Sequence, residues 1–279
     1  MLSYRHTFHA GNSADVLKHT VLISCLKYLT QKEKPLLCVD THAGAGAYRS
    51  ADCNELQRGA GKLMDYPENT MPAPVQDYLK IINADKNIYP GSPVIFAKFL
   101  RVQDRLVCFE LHPKDFDDLK NTMKNHKTET RNTDGFAGLK SLIPSRSGRG
   151  LFLIDPSWEE KDEYKNIPGH IIEFLKRFHQ GTYIIWYPLL LKTKTPERIG
   201  ETLYNLYDGN RCCAEIFNLK TEINEHSPRG MYGSGLAVYN PPWTLNSELN
   251  DTLPFLAKTL MDNGDWNLKW GIKQNDTQP

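Results

Sequence analysis

No apolar run in this sequence approaches the roughly 18 residues needed to cross a bilayer, which excludes a transmembrane helix. The N-terminal stretch MLSYRHTFHAGNSADVLKHT is polar and lacks an apolar core segment, so a secretory leader is not expected. Neither sign of charge is in excess: 34 Lys and Arg against 33 Asp and Glu leave a formal net charge of +1. The basic stripe that marks many nucleic-acid binders is missing, and charge alone argues against such a partner. The six cysteines contain no C-x-x-C pair, so neither a zinc knuckle nor a dithiol redox site is expected. They lie mostly inside apolar runs and read as reduced core residues of a cytoplasmic protein. The nine histidines show no metal-ligand spacing and no G-x-S-x-G elbow occurs, so neither a metal nor a serine hydrolase is expected. Internal repeats and low-complexity tracts are absent too.

What is present is a globular composition, 40% hydrophobic over 279 residues, enough for one large α/β domain. A first helix is expected to start at Ser13, with Asp15 in its first turn and Leu17, Val21, Cys25, Tyr28 and Leu29 at helical spacing; Lys32 and Lys34 suit its end and Pro35 stops it. Apolar runs then recur: residues 36–40 ending in Asp40, a second ending at Glu110, a third ending at Asp155, and a fourth at 182–188 after a helix at about 164–178. Strands alternating with helices predict a mostly parallel sheet covered on both faces. Residues 212–221 and 234–242 lie a loop apart and predict an antiparallel terminal hairpin, followed by a helix at 246–261. About 65 residues separate the glycine turn from Glu110, too many for one crossover, so a small helical insertion is expected at about 51–88 within the single domain.

The chemistry gathers at three strand ends. Asp40 opens THAGAG, where Gly44 and Gly46 let the backbone turn tightly beside a ligand. Glu110, ending the next strand, suits the ribose hydroxyls of an adenosine-type cofactor; its plain alternative is a solvated strand-end carboxylate. A dinucleotide fits less well, because position 49 is Arg where the G-x-G-x-x-G fingerprint needs its third glycine. S-adenosylmethionine, which has no pyrophosphate, makes no such demand. The third strand ends in Asp155-Pro156-Ser157-Trp158. A carboxylate and a backbone carbonyl there can accept both hydrogens of an exocyclic amine while the aromatic stacks on a flipped base, the needs of adenine N6 methylation; a polar turn with an exposed Trp is the plainer alternative. Asn240-Pro241-Pro242-Trp243 matches an amine-methyltransferase turn better by letter, but follows an antiparallel strand and so falls at the far end of the sheet from the ligand; it reads as structural.

With these residues assembled, the chain resembles the bacterial large-subunit ribosomal RNA adenine-N6 methyltransferases. The resemblance runs nearly end to end and is densest in the N-terminal twenty residues, DTHAGAGAY, YPGSP, ELHP, TDGF, LFLIDPSW, WYP, RGM and NPPW. It implies a class I, Rossmann-like methyltransferase using S-adenosyl-L-methionine, with 23S ribosomal RNA as partner, no membrane or metal, and a monomeric state. It implies cofactor contacts at Lys18, His19, His42, Ser92, Glu110, Asp134 and Gly135, beside Gly44 of the loop, with Asp155 as catalytic acceptor at the cofactor. Tyr4 would touch RNA, with His6 a softer candidate. The family's catalytic turn is D-P-P-Y; here Ser157 and Trp158 depart from it, loosening the turn and keeping a stacking face. A basic face from Arg5, Lys18, Arg146, Arg149 and Arg229 would answer the charge objection. A DNA or other amine methyltransferase, and a non-catalytic RNA-binding protein of the same fold, are the alternatives.

Overall fold

The structure, a computed structural model, describes residues 6–159, 162–190, 199–218 and 230–272. In chain order the described elements are α1 (Ser13–Leu29), β1 (Leu37–Asp40), β2 (Ala47–Arg49), α2 (Ala60–Met64), α3 (Ala73–Ile82), β3 (Ile88–Pro90), α4 (Ser92–Phe99), β4 (Arg105–Phe109), α5 (Pro113–Met123), β5 (Thr128–Arg131) and α6 (Gly135–Leu142). They continue with β6 (Gly150–Ile154), α7 (Glu163–Arg177), β7 (Thr182–Leu190), α8 (Ile199–Asn205), β8 (Arg211–Asn218), β9 (Met231–Tyr239), α9 (Leu245–Leu260) and β10 (Gly264–Gly271).

Eight strands form one sheet in the order β10-β8-β9-β7-β6-β1-β4-β5. The run from β5 to β7 is parallel; β9 is antiparallel to β7 and β8, and β10 is antiparallel to β8. From β1 the chain moves to β4 and β5 on one side, then crosses back to β6 on the other. The order reverses between β1 and β6, the place where open α/β sheets bind ligands at their carboxyl ends. The four parallel strands called from sequence are present as a Rossmann-like sheet.

Side chains on the central strands alternate between two apolar cores. Cys38, Leu106, Cys108, Leu151 and Leu153 join the core under α1 and α9, while Val39, Val107, Phe109, Phe152 and Ile154 join the core under α7. Helix α1 has no polar face to show to water: it is buried almost continuously from Ala14 to Leu26 and packs on α3, α4 and α9. A helix apolar all round belongs in an interior, which makes its buried Asp15, Lys18 and His19 unusual. Helices α2 and α3 lie between β2 and β3 and pack against α1 and α9.

Four boundaries differ from the sequence reading. Asn12, not Ser13, caps α1, its side chain accepting from Asp15 N at 3.0 Å. The helix ends at Leu29, well before Pro35, because the carbonyls that follow are taken by arginines distant in sequence: Arg101 donates to Thr30 and Lys32, and Arg149 to Leu29 and Lys34. The hairpin partners β8 and β9 form, but the sheet edge beyond them is β10, whose Trp266, Leu268 and Trp270 alternate with polar residues. At the other edge, β5 is a short Thr-Glu-Thr-Arg strand with no apolar signature. All six cysteines are buried and none forms a disulfide; no described helix is long and apolar enough to cross a membrane.

Replacing Asn12 with Ala is expected to cost about 1 kcal/mol through the lost cap, and Ser13→Ala clearly less. Urea denaturation of the two variants beside the wild type checks the assignment, and equal losses would contradict it.

Candidate active site

Three strand tips meet. Asp40 pairs in register with Cys108 on one side and Leu153 on the other, so Glu110 and Asp155 each stand two residues beyond the row of Asp40. The chain leaves β1 through a loop in which Gly44 and Gly46 have φ of +56° and +78°, a region L side chains rarely adopt. At Gly44 a Cβ would also come within 2.3 Å of the Tyr48 hydroxyl. The amide of Gly44 donates to Glu110 Oε2 and that of His112 to Glu110 Oε1, each at 2.8 Å. Glu110 is thereby locked in one rotamer with lone pairs left on both oxygens. Burial pushes its carboxyl above the usual range, against the opposing pull of these amides.

Asp155, just past β6, is reached by a buried ammonium. Lys18 on α1 is 4% exposed and donates to Asp155 Oδ2 at 2.5 Å, while its Nζ lies 2.8 Å from Asp15 Oδ1. Asp15 Oδ2 in turn meets His6 Nε2 and the Gly11 amide, both at 2.9 Å. Burial disfavours the charge on Lys18, but the carboxylates of Asp15 and Asp155 overcome it and hold the ammonium protonated above the usual lysine range. Burial likewise opposes ionisation of Asp15, yet His6 and Lys18 bring its carboxyl well below the usual range. A chain of polar contacts, from His6 through Asp15 and Lys18 to Asp155, thus runs from the N-terminal segment to the third strand tip.

The remaining residues line the same end of the sheet. Asp40 is fully buried; His42 N approaches its Oδ1 at 3.3 Å, and Oδ2 has no hydrogen-bond partner. Burial, only partly offset by the neighbouring Ser92 hydroxyl at the start of α4, pushes the Asp40 carboxyl up to about 7. Burial also brings the His42 imidazole down to about 4, so it is neutral at pH 7; its Nδ1 lies 2.8 Å from the Thr41 hydroxyl and its ring packs edge-on to Phe136. Asp134 caps α6, accepting from Ala137 N at 2.7 Å. Gly135 lets that helix start press on the β1 loop, since a Cβ there would fall 1.9 Å from the Thr41 carbonyl oxygen.

Two residues sit differently from expectation. Trp158 is not an open stacking face: it is 4% exposed, its indole N–H donates to the Trp186 carbonyl at 2.9 Å, and its ring lies 4.9 Å from Tyr164. Its φ of +55° costs a bulky residue roughly 1–3 kcal/mol, which burial of the indole offsets. A large aromatic beside an apolar core is more stable inside it than over an open cleft. His19 is 1% exposed, with Nδ1 3.0 Å from the Tyr89 hydroxyl and Tyr78 alongside, so its side chain is closed off behind the site; burial brings it down to about 3. Pro156 is buried beside Asp155. Two residues of the expected basic face do not share one: Lys18 is buried at the carboxyl ends of the strands, while Arg149 precedes β6 at the opposite end, its guanidinium on backbone carbonyls. Tyr4, Arg5 and Arg229 lie outside the described residues. Asn240 follows β9 beside the start of β7, at the amino ends of the parallel strands, away from Asp155. Asp15 was read only as a first-turn acid; the available signal was an acid and a lysine at i, i+3 inside an otherwise apolar helix.

A parallel sheet with a glycine turn after its first strand, an acid at the tip of the second and a carboxylate at the tip of the third defines a Rossmann-like methyltransferase. Residues 33–272 match the family described as Ribosomal RNA large subunit methyltransferase D, RlmJ, and the chain belongs to that family. It is 41% identical to Ribosomal RNA large subunit methyltransferase J of Haemophilus influenzae, over 97% of this chain and 99% of that one. To the protein of that name from Escherichia coli it is 38% identical, over 95% and 96%. A crystal structure of a Legionella pneumophila protein superposes with a TM-score of 0.83 at 34% identity, covering 94% of this chain and 98% of that one.

Asp40→Asn isolates the buried carboxylate. Its folded pKa of about 7 lies above the unfolded value of 3.8, so its favourable contribution is full below about pH 4 and lost as pH rises through 7. The Asn variant is expected to gain thermal stability relative to the wild type as pH goes from 4 to 8, and parallel Tm-versus-pH curves would refute this. Gly44→Ala is expected to weaken S-adenosylhomocysteine binding at least tenfold by calorimetry, because the loop must abandon its positive φ.

Proposed function

We propose that this chain transfers a methyl group from S-adenosylmethionine to N6 of an adenine in 23S ribosomal RNA, acting in the cytoplasm as a monomer. The observation that carries the reading is the placement of Asp155, two residues beyond Asp40 in the ladder and held by Lys18 beside the glycine loop. The unpartnered Oδ2 of Asp40 and the half-used carboxylate of Glu110 suit a cofactor bearing an ammonium and ribose hydroxyls. Glu110 would take the ribose, with Asp134, Gly135 and His42 around the base and Asp40, Ser92 and Lys18 toward the amino-acid end; His19 supports that wall from behind. When bound, S-adenosylmethionine supplies an electrophilic methyl on a sulfonium.

The adenine amine is a poor nucleophile because its lone pair is delocalised into the ring. The Asp155 carboxylate and the Pro156 carbonyl accept its two N–H hydrogens, pulling the lone pair out of conjugation and toward the donor. Lys18 fixes Asp155 in one rotamer, so the acceptor is preorganised before the base arrives. His6, joined through Asp15, ties the N-terminal segment to the same chain of contacts, which suits a contact of that segment, with Tyr4, to the RNA. A large-subunit RNA substrate is supported by the near full-length similarity to proteins named for it; nothing favours DNA.

Asp155→Ala is expected to lower methyl transfer to 23S rRNA by 100-fold or more, a loss on the order of 10² to 10⁴ being typical for a proton acceptor, with S-adenosylhomocysteine affinity changed much less. Tritium transfer from labelled cofactor to rRNA, DNA and protein, with N6-methyladenine mapped in the product, tests substrate and position together. An unimpaired Asp155→Ala enzyme would move the chemistry elsewhere.

A further inference from the structure

The Asn-Pro-Pro-Trp turn has no part in the site above, and its geometry shows what it holds in place. Asn240, at φ +50°, donates through Nδ2 to the carbonyls of His179 and Gly181 at 2.7 and 2.8 Å, and its Oδ1 accepts from the Tyr207 hydroxyl at 3.1 Å. Two prolines follow, and the stiffened chain presents Trp243 at the start of α9 with 77% of its surface exposed. The turn is anchored by its first residue while its last, the most apolar, is left in water. A single exposed apolar residue is ordinary, but this indole borders a cleft of about 550 Å³ between the C-terminal end of α1, the start of α3 and the start of α9. The cleft is lined by Tyr28, Gln31, Lys32, Thr244 and Glu248, and Lys27 and Asp77 pair across its wall.

We propose that this cleft binds an unpaired nucleotide of the RNA substrate, one whose base carries an exocyclic amine. The proposal rests on the reading of the substrate as RNA. Its parts follow from chemistry. A net charge of +1 leaves little bulk attraction for a polyanion, so affinity has to come from local contacts, and stacking of a base on an exposed aromatic is the strongest that tolerates sequence. Trp243 supplies that face, and the volume suits one nucleotide. Lys32 supplies a cation for its phosphate. Lys27 neutralises Asp77, which leaves Glu248 as the acceptor in the cleft. A carboxylate accepts from the exocyclic amine of adenine, cytosine or guanine, whereas uracil carries a carbonyl oxygen in place of that amine and leaves its ring N3–H as the one donor on that edge. Lys18 and Lys27 are nine residues apart on α1, which sets the cleft wall about 14 Å along the helix axis from the lysine of the site.

Binding of labelled single-stranded RNA oligomers by fluorescence anisotropy, beside methylation kinetics on protein-free 23S rRNA, tests the proposal. Trp243→Ala, at an exposed position that leaves the fold intact, is expected to raise the Kd of a cytidine-adenosine oligomer and the KM for rRNA about tenfold, with kcat and S-adenosylhomocysteine affinity unchanged. Trp243→Phe restores most of the loss. Wild-type protein prefers the cytidine-adenosine oligomer to a uridine oligomer several-fold, and Glu248→Gln removes the preference. A Trp243→Ala protein that binds both oligomers as the wild type does overturns the proposal. Failure of the wild type to methylate rRNA, with Trp243-dependent oligomer binding intact, overturns the catalytic reading and leaves the cleft standing.

Discussion

One buried ammonium organises the site. Lys18 has left water, and only the carboxylates of Asp15 and Asp155 offset the cost. Removing one member of such a set strands the others in a low-dielectric interior, typically at 3–5 kcal/mol, so the three groups form a unit. That unit joins two parts of the chain 137 residues apart: a helix buried from Ala14 to Leu26, and the turn at the end of β6. The helix is buried for packing, and the polar groups it carries inside are the ones that place the reacting turn. Structural and catalytic requirements meet on Asp15 and Lys18 of α1.

The central sheet was legible because parallel strands covered on both faces have to be apolar throughout, and the runs ending in Asp40, Glu110, Asp155 and the WYP segment satisfy that rule. What escaped was decided by tertiary partners. The end of α1 depends on Arg101 and Arg149, which no local pattern connects to it. Strand β5 is a polar edge, and β10 carried a Trp-x-Leu-x-Trp alternation that stood unread behind a long helix. Within the site, the glycine turn, Glu110 and Asp155 follow from strand-end logic, whereas the burial of Trp158 and His19 does not. An aromatic after a strand end is equally consistent with an open face and with a core, and its neighbours in space choose between them. The family resemblance named side chains without saying which way they point.

The distribution of charge also changes meaning in three dimensions. Two of the basic residues expected on one face stand at opposite ends of the sheet, Lys18 sealed at one and Arg149 spent on carbonyls at the other. Near-neutrality is then consistent with an enzyme whose hold on a polyanion comes from shape, stacking and a few placed contacts.

The two arginines that close the end of α1 have a further effect. Arg101 lies just before β4 and Arg149 just before β6, the two neighbours of β1, and both grip the same short link between α1 and β1. The three strands are therefore clamped at their bases, and each is only four or five residues long. So short a strand has little room to slip, and a one-residue error at the base would turn every side chain to the wrong layer. Alignment of the reacting tips is in this way set from the opposite end of the sheet, like the teeth of a comb held by its spine.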